Sequence, residues 1–289
     1  MRDQAEQLRE RIGRSTSNNR RQTRLITVTS GKGGVGKSNV TLNFALGLVE
    51  TGQKVVIFDV DLGLANLDVL MGISTRHHLL DILQQDISLW DIMETGPKGL
   101  QFIAGGSGFT QFLQLDDRKV SKLLDQLSLL QGYADTVLLD TGAGISKESM
   151  QFILCSDEVF LVTTPEPTAI TDAYAVIKMI HSRNPHTQIK LIINRSGSYR
   201  EGKHTADKLT MVTKQFLGMD VQTLGFVDDD PSVSQAVKQQ QPFLIAYPHS
   251  PAAKSIRSLV RAHLGNTNPG QTEVGGLRSF LTKIRDMIR

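Results

Sequence analysis

The stretch Leu25-Ile-Thr-Val-Thr-Ser30, continued by Gly31-Lys-Gly-Gly-Val-Gly-Lys-Ser38, decides the fold. It fits G-x-x-x-x-G-K-[ST] in the required setting. An apolar, β-branched run precedes the loop, and a helical pattern follows from Asn39 to about Glu50. Glycine backbone approaches a phosphate closely, and successive N–H groups form an anion cradle. The helix N-terminus adds partial positive charge. Gly31, Lys32, Gly33, Gly34, Val35, Gly36, Lys37, Ser38 and Asn39 are therefore candidate nucleotide-binding residues. Lys37 reaches for the β/γ-phosphates of such a ligand, and the Ser38 hydroxyl for Mg²⁺.

Working outward, apolar strand-like runs recur at Leu25–Thr29, Val55–Asp59, Gln101–Ala104, Thr136–Asp140, Val159–Thr163, Ile189–Asn194 and Leu224–Val227. Helical patterns separate most of them: Asn39–Glu50, Val120–Leu130, Thr171–Ser182, His204–Phe216, Ser232–Gln239 and Pro251–Leu264. This alternation predicts an α/β fold, a mostly parallel sheet sandwiched between helices with right-handed crossovers. Three parts follow: an N-terminal segment and linker over 1–22, a nucleotide-binding domain over 23–265, and a linker with a separate amphipathic helix over 266–289.

Composition narrows the class. The 289 residues are 39% hydrophobic and 21% charged, which suits a soluble globular chain with an ample core. The single cysteine, Cys155, excludes a disulfide framework and any cluster held by several cysteines of one chain, and it points to a reducing compartment. No run approaches the ~20 apolar residues of a membrane span, and the polar, basic N-terminus has no signal-peptide pattern. The net charge of +3 says little, but both ends of the chain are basic.

The loop carries a second lysine, Lys32, directly after its first glycine. In this the chain resembles the MinD/ParA ATPases, whose loop has an extra lysine at that place. The resemblance extends over roughly residues 24–264 and implies ATP and Mg²⁺ as ligands. It implies that Lys32 crosses an ATP-bound homodimer to the partner's phosphates, serving catalysis with Lys37. In Phe58-Asp-Val-Asp61 two acids follow the second strand. The family's switch I makes Asp61 the residue that orients the attacking water and puts Asp59 near the Mg²⁺ shell. Val137-Leu-Leu-Asp-Thr-Gly-Ala-Gly144 has the form of Walker B and switch II. Asp140 then binds a Mg²⁺-coordinated water, and the Gly142 N–H faces the γ-phosphate. Within Ile192-Ile-Asn-Arg195, Asn194 matches the family's adenine-reading residue, with Arg195 beside it. Phe226-Val-Asp-Asp-Asp-Pro231 departs from the usual Ile-Pro pattern, which leaves Asp230 an adenine-side contact only by position.

Within the family, four segments resemble the flagellar FlhG branch, also called FleN or YlxH. They are Leu64-Ala-Asn-Leu-Asp68, Asp140-Thr-Gly-Ala-Gly-Ile-Ser146, Thr163-Thr-Pro-Glu-Pro-Thr-Ala-Ile-Thr-Asp-Ala-Tyr174 and Asp3-Gln-Ala-Glu-Gln-Leu-Arg9. That branch implies control of flagellar placement and number, with flagellar basal-body (C-ring) proteins as partners. It also implies an N-terminal activator segment that stimulates the FlhF GTPase, here through Gln4, Gln7 and Leu8. At the other end, Leu277, Phe280, Leu281, Ile284, Met287 and Ile288 fall within an arc of about 120° on a helix, bordered by Arg278, Arg285 and Arg289. A basic amphipathic helix of this kind is a candidate interfacial anchor, although a terminal helix docked on its own core has the same pattern. The expected location is the cytoplasm, with ATP-dependent attachment to the inner face of the cell membrane. The rival readings are a ParA-like DNA-segregation ATPase and a MinD division-site ATPase. Six large apolar residues on one face serve lipid rather than DNA, whose binding is led by phosphate charge.

Overall fold

A computed structural model describes residues 22–61, 67–85, 87–105, 117–265 and 275–288. The apolar runs become strands: β1 (Arg24–Thr29), β2 (Val55–Val60), β3 (Met93–Thr95), β4 (Gln101–Ala104), β5 (Thr136–Thr141), β6 (Glu158–Thr163), β7 (Ile189–Ser196) and β8 (Gln222–Asp228). They form one sheet in the order β3-β4-β2-β5-β1-β6-β7-β8. All pairings are parallel except that of β3, a short antiparallel edge on β4. Seven of these strands coincide with the apolar runs. β3 was not foreseen, because Met-Glu-Thr is too short to show a period.

Side chains alternate between two buried faces, as a parallel sheet covered on both sides requires. Val55 and Ile57 of β2 face one core, Val56 and Phe58 the other. The first core is closed by α1 (Lys37–Glu50) and a helix over Pro251–Gly265. Phe44 of α1 is 1% exposed and meets Phe160 edge-on at 5.3 Å. Truncating such a ring to alanine costs about 3–5 kcal/mol. The opposite face is covered by helices Asp117–Ser128, Lys147–Cys155, Pro167–Arg183 and Tyr199–Leu217. β1 and β5 are central neighbours whose connections run in opposite directions, from β1 to β2 on one side and from β5 to β6 on the other. Ligands of open α/β sheets bind at such a switch point, beyond the carboxyl ends of the strands. The glycine-rich loop begins there.

The C-terminal helix (Gly276–Ile288) takes the second of the two arrangements open to it, docked on its own core. Leu277, Phe280, Leu281 and Ile284 are 2–7% exposed and packed into the second core. Phe280 stacks on Phe152 with ring centroids 6.2 Å apart. The helix start is clasped to the sheet: Gly276 N–H donates to Asp157 Oδ1 at 2.6 Å, and Leu277 N–H to the Thr23 carbonyl at 3.1 Å. The reason is physical. A helix this short is marginal alone in water. Burying four large apolar side chains stabilises it by at most about 6–12 kcal/mol. Met287 and Ile288 lie in the helix, but their side chains fall outside the described residues. No helix among the described residues is long and apolar enough to cross a membrane.

Candidate active site

The loop after β1 turns into α1 through Gly36, whose φ of 87° is the left-handed region that glycine adopts without strain. No side chain caps the start of α1 and no acid occupies its first turn. Its leading N–H groups are thus left for an anion. Gly31 lies against the backbone of Pro167–Arg183: a Cβ there would fall 2.5 Å from the Asp172 carbonyl carbon. Gly33 and Gly34 are on the exposed rim, while Val35 is buried in the first core as the anchor of the loop.

The parallel register sets Asp59 of β2 directly beside Asp140 of β5, and Asp140 beside Val28 of β1. Both carboxylates are 1% exposed. Asp140 is compensated: Lys37 Nζ lies 3.0 Å from Oδ2, and Thr41 Oγ1 donates to Oδ1 at 2.7 Å. Asp59 is not. Its Oδ1 accepts the Asp61 N–H at 3.0 Å, whereas Oδ2 is buried with no hydrogen-bond partner. Burial, followed by repulsion from Asp140, pushes its carboxyl from 3.8 up to about 7. An orphaned buried oxygen in register with a second acid, whose partner Lys37 also donates to Ser38 Oγ at 3.2 Å, fits a divalent cation. No cluster of three His, Cys, Asp or Glu able to hold a metal occurs among the described residues. A cation completed by water and substrate phosphates needs none, as is usual for Mg²⁺.

Around this centre the other expected residues are placed as follows. Asp61 borders switch II: a Cβ on Gly142 would lie 3.1 Å from its Oδ1. The Gly144 N–H donates to the Ser30 carbonyl, joining that turn to the start of the loop. Lys32 Nζ donates to Thr168 Oγ1 at 3.0 Å and lies 3.5 Å from Glu166. Asn39 stands in the first turn of α1, its carbonyl accepting the Asn43 amide. Near the end of β7, Thr164, Pro165, Glu166, Arg195, Glu201 and Asp229 line a cavity of about 250 Å³. Asn194, next to Arg195, is buried and donates to the Val35 carbonyl at 2.8 Å.

Asp230 does other work. Its oxygens accept the Ser232 N–H at 2.9 Å and the Ala252 N–H at 3.1 Å, capping two helices at once. Burial raises its carboxyl, but the N–H donors outweigh that and hold it below the usual carboxylate range. Gln4, Gln7 and Leu8 lie outside the described residues. Sequence reasoning missed Thr41, which follows Lys37 by one helical turn and so shares its face. It also missed Glu166 and Thr168, for which no local signal existed.

A central switch-point crevice that offers helix N–H groups and a lysine to an anion, with acids for a cation, belongs to a P-loop nucleoside-triphosphate hydrolase. A ParA family model described as NUBPL iron-transfer P-loop NTPase matches residues 21–264. The antiactivator FleN of Pseudomonas aeruginosa is 37% identical over 82% of this chain and 85% of its own. The flagellum site-determining protein YlxH of Helicobacter pylori is 34% identical over 94% of this chain and 92% of its own. Among solved structures, MinD of Pyrococcus horikoshii complexed with Mg-ADP superposes with a TM-score of 0.68 at 29% identity, covering 84% of this chain and 98% of that one. The chain belongs to the ParA/MinD family of P-loop ATPases, and ATP hydrolysis is the chemistry of its site. The chain's only cysteine, Cys155, is buried, and that burial pushes its thiol up to about 11.

Proposed function

We propose that the chain is an ATP-driven dimerisation switch that regulates flagellar placement and number, acting from the membrane and through partner proteins. The observation that carries the reading is the position of Lys32. A second lysine in the phosphate loop, held by Glu166 and Thr168 while Lys37 pairs with Asp140, suits service to a second copy. The relatives FleN and YlxH supply the flagellar context.

The chain's own groups divide the work. The N–H groups at the start of α1 bind phosphate oxygens, and Lys37 exchanges Asp140 for the β/γ-phosphates. Ser38, Asp59 and Asp140 would hold Mg²⁺, Asp140 through water, and the cation when bound offsets charge on the phosphates. Asp61 orients the attacking water, and Gly142 offers its N–H to the γ-phosphate. Lys32 of each copy stabilises charge on the other's phosphates. Positioning and charge stabilisation are what phosphoryl transfer requires.

For membrane attachment, the C-terminal helix has to leave its site on Phe152 and expose Leu277, Phe280, Leu281 and Ile284. Two copies in one dimer raise lipid avidity well beyond that of one. For partners, Met179 on Pro167–Arg183 and Met211 and Phe216 on Tyr199–Leu217 are 45–67% exposed, an apolar surface suited to C-ring proteins. The N-terminal segment stimulates FlhF. The test is cosedimentation of the full chain with anionic liposomes or with duplex DNA, with ATP or ADP, alongside sizing. Liposome binding by an ATP dimer is expected. ATP-dependent DNA binding without lipid binding would make the chain a segregation ATPase instead.

A further inference from the structure

Asn194 lies deeper than a residue serving only the base side needs to. It is 7% exposed at the end of β7, and its Nδ2 donates across the site to the Val35 carbonyl at 2.8 Å. Two backbone features make this reach possible. Arg195 takes a left-handed φ of 56°, and the β7–β8 register slips between Ile193 and Ser196. Such an irregularity bends a strand and re-aims the neighbouring side chain. On the other side, Gly36 has no Cβ, and one built there would overlap Asn194 Nδ2. Loop and strand are thus fitted to each other at one hydrogen bond.

The bond has a consequence for phosphate. The peptide joining Val35 to Gly36 is planar and trans, so its C=O and N–H point in opposite directions. Holding the Val35 oxygen against Asn194 turns the Gly36 N–H away from β7. We infer that Asn194 is a positioning residue for the phosphate loop: it fixes the peptide that presents the Gly36 N–H, so the base side and the phosphate side of the nucleotide are sensed through one carboxamide. Nδ2 serves the loop, and the carboxamide oxygen accepts the exocyclic amine of adenine. The base then strengthens phosphate binding by locking the amide that orients the loop. This inference rests on the ATP-site reading.

The test uses a ligand without a base. Affinities of the full chain for Mg·ATP and for inorganic tripolyphosphate with Mg²⁺ are measured by calorimetry for the parent, Asn194→Ala and Asn194→Asp. The aspartate keeps the shape but loses the donor, and thermal melts confirm that each variant is folded. Losing one hydrogen bond's contribution weakens a ligand by about ten-fold. Both variants are expected to lose tripolyphosphate by about that factor, and to lose ATP by more. Turnover at saturating ATP should fall as well, since a misaimed N–H also serves the transition state. Tripolyphosphate affinity equal to the parent's, with ATP weakened, would confine Asn194 to reading the base and overturn the inference alone. A parent chain that binds no ATP would instead overturn the site reading itself.

Discussion

Without its cation, Asp59 is a cost to the fold, and the cost depends on pH. Burial and the adjacent Asp140 raise its carboxyl from 3.8 to about 7. The folded chain therefore holds a proton over a range where the unfolded chain has lost it. The stability from this group is complete below 3.8 and is lost as pH rises through about 7. At about 1.4 kcal/mol per pH unit, the loss approaches about 4 kcal/mol at full ionisation. Asp59→Asn keeps the shape, and its Oδ1 still accepts the Asp61 N–H. In chelator and without nucleotide, urea melts of parent and variant are compared at about pH 5 and about pH 8. The variant is expected to be the more stable, by a margin that widens toward about 2–4 kcal/mol at the higher pH. Mg·ATP should narrow the gap, because only the parent supplies a carboxylate to the cation. Melts that run parallel across pH would refute the argument, since they would mean that the folded carboxyl ionises as freely as the unfolded one.

Asp61→Ala should bind ATP through Lys37, Ser38 and Asp140 yet hydrolyse it far more slowly, accumulating as an ATP dimer on a sizing column; turnover at the parent rate would remove Asp61 from catalysis. Phe280→Glu should abolish ATP-dependent liposome binding and lower the melting temperature, because the ring fills the second core, at about 3–5 kcal/mol for a ring truncated there. Phe152→Ala, which loosens the docking site but spares the apolar arc, should raise liposome binding in ADP; no increase would show that docking does not limit attachment. A peptide of residues 1–20 should stimulate GTP hydrolysis by FlhF, and Gln7→Ala should weaken that effect while the full chain's own ATPase is unchanged. Equal stimulation by both peptides would eliminate Gln7.

The sequence by itself determined the sheet and the phosphate loop, because both are written locally. A β-branched run, a glycine loop and a helix occupy adjacent positions in residues 25–50, and alternating apolar runs fix the parallel strands one by one. Asp59, Asp61, Asp140 and Asn194 were legible because each ends such a run, and strand ends gather at one edge of a parallel sheet. Tertiary structure alone decided what these groups do to each other. No local pattern could tell that the register sets Asp59 against Asp140, leaving one carboxylate paired with Lys37 and Thr41 and the other with one buried oxygen unpartnered. Nor could it tell that Asn194 spans 159 positions to the Val35 carbonyl, or that Asp230 caps two helices. The C-terminal helix shows the reason most plainly. Its amphipathic period specifies an apolar face but not the surface that buries it, and a lipid bilayer and the protein's own core satisfy that period equally. Only the packing of Phe280 on Phe152 and the Asp157 clasp at Gly276 select the core in this state.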